Sequence, residues 1–344
     1  MEIWTGPHDE NGDAAQRALM EAGVTDGLPV VPPTARRVEA MLAAAGVDGG
    51  ASIGILPPAY EDVTWRDAAI NAVMAGCAPE CLVVVGAALE AMGAPELNLL
   101  GIATTTGSAT VCLVVNGPVA RAIGMNSGAN AMGPGNRANA TIGRAIGLTL
   151  RNCGGARPGE IDMATLGQPG KYTFCFAENE AESPWPPLHV ERGFDAQASV
   201  VTVVGVSGTI EVVDSESRAA EDLAQTFAQS MLIAGNVGGA GVLGGGEPLI
   251  VMPPEIANVF ASGGCDKARA KALIHERARL PVERLAPAQR ERASGGDGVQ
   301  EGELRISRTP DDVMIVVAGG VGRKAAYVPT WGGGTKAVSR RIKY

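Results

Sequence analysis

Short apolar runs alternate with helix-like runs along most of this chain, and no other feature constrains its fold as much. β-like stretches fall at Leu28–Val31, Ser52–Leu56, Leu99–Thr106, Thr110–Val115, Lys171–Ala177, Ser199–Val206, Leu249–Met252 and Val313–Val317. Between them lie runs of helical period: Asp13–Gly23, Thr34–Ala45, Thr64–Gly76, Pro79–Met92, Glu216–Ile233, Glu255–Ala261 and Asp266–Arg279. Interleaving of this kind points to the α/β class, a mixed sheet with flanking helices. Arg284–Gly302 reads as a polar surface loop. A strand-Pro-Pro-helix unit recurs near Val30, Ile55 and Val251. That leaves two readings, an internally duplicated architecture or chance recurrence among 22 prolines. The 344 residues suffice for one large or two ordinary domains. The expected division is an N-terminal α/β domain over 1–160 and a C-terminal one over 161–344, with a single intertwined domain as the alternative.

Composition narrows the function. Hydrophobic residues make up 46% and aromatics only 4%, which suits close helix–sheet packing over an aromatic-rich binding module. The net charge is −9, and no Lys/Arg-rich run precedes the terminal Arg340, Arg341 and Lys343, so no nucleic-acid partner is expected. No apolar run reaches the roughly 18 residues needed to span a membrane. The opening MEIWTGPHDENGD carries early acids and no apolar stretch, which reads as cytoplasmic. The six scattered cysteines are then expected to be reduced.

The stretch Gly133–Ala145, GPGNRANATIGRA, combines a glycine-proline-glycine turn with a helix start. The first helical N–H groups have no partner inside a helix, and glycines let a ligand come close. Arg137 and Arg144, seven residues apart, project from one face. With Asn139 to orient it, a small anion such as a carboxylate or phosphate is the expected ligand. The segment lacks the Lys-Ser/Thr ending of a phosphate loop and the preceding strand of a dinucleotide fingerprint, so no large cofactor is identified.

A second segment, Ala177–Arg192, reads AENEAESPWPPLHVER. In an extended chain Glu178, Glu180 and Glu182 point to one side. Glu178 and Glu180 with His189 suit general acid–base work, and a divalent metal is an alternative occupant. A solvated acidic loop pinned by prolines is the plain alternative. Cys77, just before Pro79, is the best-placed nucleophile of the six cysteines, since a helix N-terminus favours a thiolate. A buried small hydrophobe is its plain alternative. Thr105 and Ser108, in the Thr104–Ser108 turn, are candidate substrate-binding residues. The glycine loops Gly235–Gly246 and Ala318–Gly322 also follow apolar elements and can expose backbone N–H groups.

Several stretches together resemble a largely uncharacterised bacterial family of partners or fused neighbours of the small UGSC-type selenoproteins and their cysteine versions. They are TDGLPVVPPT at 25–34, NAVMAGCAPE at 71–80, RANATIGRA at 137–145 and PGKYTFCFAENEAESPWPPLH at 169–189, with a looser match in PPEIANVFASGGCDKARAKAL at 253–273. The resemblance implies an enzyme-like protein whose redox-active Cys or Sec comes from a small UGSC- or CGSC-type partner protein. This chain has no such motif; Gly263-Gly264-Cys265 comes nearest. The resulting expectation is an enzyme acting on a small anionic substrate by hydrolysis or lyase-type addition and elimination. A noncatalytic substrate-binding subunit beside a redox partner is the second reading. A homo-oligomer packed through glycine-rich segments is a third.

Overall fold

The structure, a computed structural model, describes residues 13–232, 246–294 and 299–343. The described residues begin with α1 (Asp13–Glu21), α2 (Ala35–Ala45) and a hairpin of β1 (Ser52–Leu56) with β2 (Glu61–Thr64). Helices α3 (Trp65–Ala75), α4 (Leu82–Met92) and α5 (Leu99–Thr104) lead into β3 (Thr110–Asn116). Then come α6 (Pro118–Ala122), α7 (Arg137–Asn152), β4 (Cys175–Ala177), α8 (Leu188–Glu191), β5 (Val200–Val206), β6 (Ile210–Val213) and α9 (Ala220–Met231). The remainder holds β7 (Leu249–Met252), α10 (Pro254–Ser262), α11 (Lys267–Arg277), β8 (Arg279–Pro281), α12 (Pro287–Ser294), β9 (Val299–Gln300) and β10 (Glu303–Arg305). It closes with β11 (Met314–Val317), β12 (Lys324–Val328) and β13 (Val338–Arg341).

The central strands are apolar at nearly every position, as strands buried on both faces must be. Val111, Leu113 and Val115 of β3 face a core shared with α2, α3, α4 and α7. Their neighbours Cys112 and Val114 face the other sheet, where they meet Leu249 and Val251 of β7. Ile250 and Met252 of β7 turn the opposite way, into a core with α9, α10 and α11. The period-two alternation thus builds four layers: helices, sheet, sheet, helices.

One sheet runs β13-β5-β3-β4 and the other β11-β7-β12-β6. Each has a parallel pair at one edge, β3–β4 or β7–β11, followed by two antiparallel pairings. The chain crosses between them twice: β6 pairs with β12, and β13 returns to pair with β5. A boundary at 160 would fall between β3 and β4, neighbours in one sheet. The strand-Pro-Pro-helix recurrence is not a repeated unit. Residues 28–31 form no strand, Ile55 lies in the β1–β2 hairpin, and Val251 alone enters a main sheet.

Three local expectations are corrected. Residues 99–104 are helical, because Asn98 adopts a left-handed φ of 51° and its side chain accepts from the Gly101 N–H at 3.2 Å. Only Cys175–Ala177 of the 171–177 run is strand; Pro169–Lys171 is a 3-10 turn. The 284–302 stretch contains α12 and β9. The Gly235–Gly246 loop lies outside the described residues except for Gly246.

Candidate functional site

The GPG turn does lead into a capped helix: Asn136 accepts the Asn139 N–H at 3.0 Å. The arginines that follow do not share a pocket. Arg137 donates from Nε to the Gly76 carbonyl at 2.9 Å and reaches the Cys77 carbonyl at 3.4 Å, closing the C-terminal end of α3. Arg144 grips Asp26 bidentately at 2.8 and 2.7 Å and also donates to the Pro29 carbonyl. Burial raises the Asp26 pKa, but the Arg144 hydrogen bond and charge outweigh it and hold the carboxyl below its usual range. Asn139 is buried and committed, bonding both Asn126 backbone groups and the Ala131 carbonyl. These three residues tie loops to α7.

The acidic segment converges in part. Asn116 Nδ2, at the end of β3, donates to Glu178 at 2.7 Å and to Glu180 at 3.0 Å. Glu178 is buried and also accepts from Leu188 N at 2.8 Å and Val317 N at 3.5 Å, so it joins β3, β11 and the start of α8. Burial pushes its pKa up, against the Lys267 charge and these donors. Glu180 accepts from Gly117 N, and Glu182 turns away to Asn179. His189 is fully buried, with Nε2 3.4 Å from the Ala196 carbonyl and no partner at Nδ1. Neither Arg137 nor Arg144 shares a hydrogen-bond partner with this segment. Among the described residues, no three His, Cys, Asp or Glu side chains are grouped to hold a metal ion.

Cys77 reverses its expectation. It is buried, and desolvation pushes its thiol up to about 12, with Thr141 and Arg137 only partly opposing. The short 3-10 turn Pro79–Cys81 separates it from α4, so no long helix start faces it.

Open space lies elsewhere. A cavity of about 600 Å³ sits under α7, bounded by the end of α5, the start of β3 and the loop 156–172. Ile102, Ala103, Val111 and Leu150 supply an apolar floor, with Leu166 and Tyr172 at the mouth. Gly143 and Gly147 let the loop approach: a Cβ on Gly143 would stand 2.4 Å from Thr173 Oγ1. The loop is fastened by Gln168, which donates to the Ser108 carbonyl at 2.5 Å, and by Thr165 N to the Thr106 carbonyl. Thr105 accepts the Gly107 N–H at 3.0 Å. Thr105 and Ser108 thus shape the turn between two lining segments, outside the cavity wall.

The charges around this cavity leave one surplus. Asp26 is paired with Arg144, and Asp162 with Lys171 at 2.5 Å. Arg151, also on the wall, donates to the Gly23 carbonyl at 3.2 Å, and its Nε is buried without a partner. Among the described residues it has no carboxylate. It was missed in the sequence although it continues the 137–144 spacing by another seven residues. Glu178, Glu180, His189 and Cys77 line neither this cavity nor two smaller ones of about 510 and 320 Å³. The larger of those lies between Ala129–Gly133 and Ala318–Gly322, so the loop before the GPG turn and the late glycine loop do meet. No helix among the described residues is long and apolar enough to cross a membrane. In comparisons with known proteins, no family model, curated protein or solved structure matches this chain.

Proposed function

We propose that this chain binds a small organic monoanion, a carboxylate on an apolar body, in the cavity under α7. The observation that carries the reading is Arg151: a guanidinium with a buried, unpartnered Nε on a largely apolar wall, where every other charge is already paired. A charged donor left so is offset by a ligand carboxylate, which takes two parallel bonds from one guanidinium. The volume falls in the ordinary range for small-molecule pockets.

Between turnover and presentation, the position of the acid–base residues favours presentation. A noncatalytic binding component agrees with Glu178 and His189 being enclosed away from the cavity. It also agrees with the apolar side chains left exposed around the mouth, Leu166 at 93% and Tyr172 at 50%. The partner would then be the small UGSC- or CGSC-type protein that the sequence resemblance implies. Calorimetry with a panel of aliphatic and aromatic monocarboxylates and their methyl esters tests the binding. Acids bind and esters do not, and Arg151→Gln weakens the best acid by about 1.5–3 kcal/mol. Equal affinity of acid and ester, or an unchanged Arg151→Gln, sinks the reading. Conversion of the bound acid by the purified chain would restore the hydrolase or lyase reading.

A further inference from the structure

The small ribbon of β8, β10 and β9 carries two arginines in a setting that the fold alone does not explain. Antiparallel pairing places Arg279 directly opposite Arg305. Side chains so opposed have Cβ atoms about 5 Å apart, and like charges there repel. Leu280 and Leu304, the next opposed pair, join the core against α9–α11, so the arginines share the other face. Both Nε atoms are buried without hydrogen-bond partners. Arg279 reaches one carboxylate, Glu303, at 3.6 Å. Among the described residues Arg305 has none.

His275, in the last turn of α11, lies close enough for both charges to act on it. Its Nδ1 is 2.9 Å from Ser307 Oγ, and that hydroxyl donates to the Thr309 carbonyl at 2.9 Å. A hydroxyl has one hydrogen, so Nδ1 must donate and Nε2 carries the lone pair of the neutral ring. Burial, then the Arg305 and Arg279 charges, hold this imidazole below its usual range, while Asp312 and Glu276 oppose the shift. His275 comes four residues before Arg279, and its partner Ser307 two residues after Arg305, so the hydrogen bond between them sets an imidazole beside the opposed arginines.

We propose that Arg279, Arg305 and His275 bind a tetrahedral oxyanion, a phosphate group either free or carried on a small molecule. The anion would supply partners for both Nε–H groups, cancel the repulsion across the ribbon and accept from His275 once that ring is protonated. This site is independent of the α7 cavity, and either can fail without the other.

The full chain is titrated with inorganic phosphate and separately with glycerol 3-phosphate, at ionic strength held constant with chloride. Binding is followed by calorimetry and by the His275 ring signals in NMR, assigned with His275→Gln. Saturable binding is expected, with the His275 signals moving toward the protonated form as the anion arrives. Arg305→Gln should weaken it by about tenfold or more, as loss of a charged fork requires. Preference for the ester identifies a carried phosphate and preference for inorganic phosphate a free one. If Arg305→Gln does not fold, Arg305→Lys keeps the charge and removes the fork, and the wild-type titration stands by itself. Absence of saturation by both probes, or binding that leaves His275 unmoved and is unchanged in the arginine variant, overturns the proposal.

Discussion

Single residues carried most of the functional expectation, and their surroundings redirected it. The seven-residue spacing of Arg137 and Arg144 was legible, and so was the capped helix start. What spacing cannot reveal is the far end of each side chain: Gly76 for Arg137 and Asp26 for Arg144, residues 61 and 118 positions away. Cys77 illustrates the same limit. A thiol read as dipole-activated in sequence is set by burial in the fold, because removing water penalises the thiolate directly. With its pKa pushed up to about 12, the thiol stays protonated at pH 7, whereas an ordinary cysteine is a few per cent thiolate. Brief iodoacetamide treatment of the native chain at pH 7.5, read by mass spectrometry, should leave Cys77 unlabelled while urea-unfolded chain labels fully. Cys153, the one cysteine that is not fully buried, should label first in the native chain. Native labelling of Cys77 ahead of Cys153 would restore it as a nucleophile candidate.

At the scale of elements, the acidic segment and α11 are joined by charges that neither periodicity nor motif could pair. Lys267 and Lys271 are four apart on one face of α11, and both are buried. Both reach Glu191 at the end of α8, Lys267 at 3.0 Å, and Lys267 also donates to the Pro186 carbonyl. Prolines 184, 186 and 187 break up the segment before α8, but the cations that meet it lie some eighty residues on. Burial alone would raise the Glu191 pKa. The Lys267 charge and then the Lys271 hydrogen bond more than offset that and hold it below the usual carboxylate range. A carboxylate whose folded pKa is depressed stabilises the fold above its unfolded pKa, and that contribution is lost as pH falls through the folded value. Glu191→Gln leaves two buried ammonium groups facing one neutral amide, at a cost of about 3 kcal/mol. Urea unfolding at pH 7 should show that loss. Between about pH 5 and 3 the stability of the variant should fall less steeply than that of the wild type, since its missing titration is part of that slope. Parallel pH profiles for the two proteins would refute the assignment.

For the whole molecule, the α/β class and the central strands were legible because strands buried on both faces show as continuous apolar runs. The pairing of those strands was not, since it depends on contacts between distant parts of the chain. Nothing local in Ile210–Val213 or Val338–Arg341 says that each completes the sheet of the other half. That exchange makes a strong prediction about independence. A fragment ending at 232 keeps β3, β4 and β5 but loses β13 from the β5 edge, and its β6 has no partner strand. Its inter-sheet face, including Cys112, Val114, Phe176 and Val204, would stand in water, although each is at most 2% exposed in the intact fold. The complementary fragment from 246 keeps β7, β11 and β12, with the same face open from the other side. Each is left with an unpaired edge and half of a two-sided core, the setting in which sheets aggregate or fail to fold. Expressed singly, both fragments should lack a cooperative thermal transition. Expressed together, they should copurify as a one-to-one complex that melts cooperatively, because the cut falls between α9 and β7 and breaks no described pairing. A monomeric, cooperatively melting fragment 1–232 would show that the first sheet closes without β13, and that the two halves are separate domains after all.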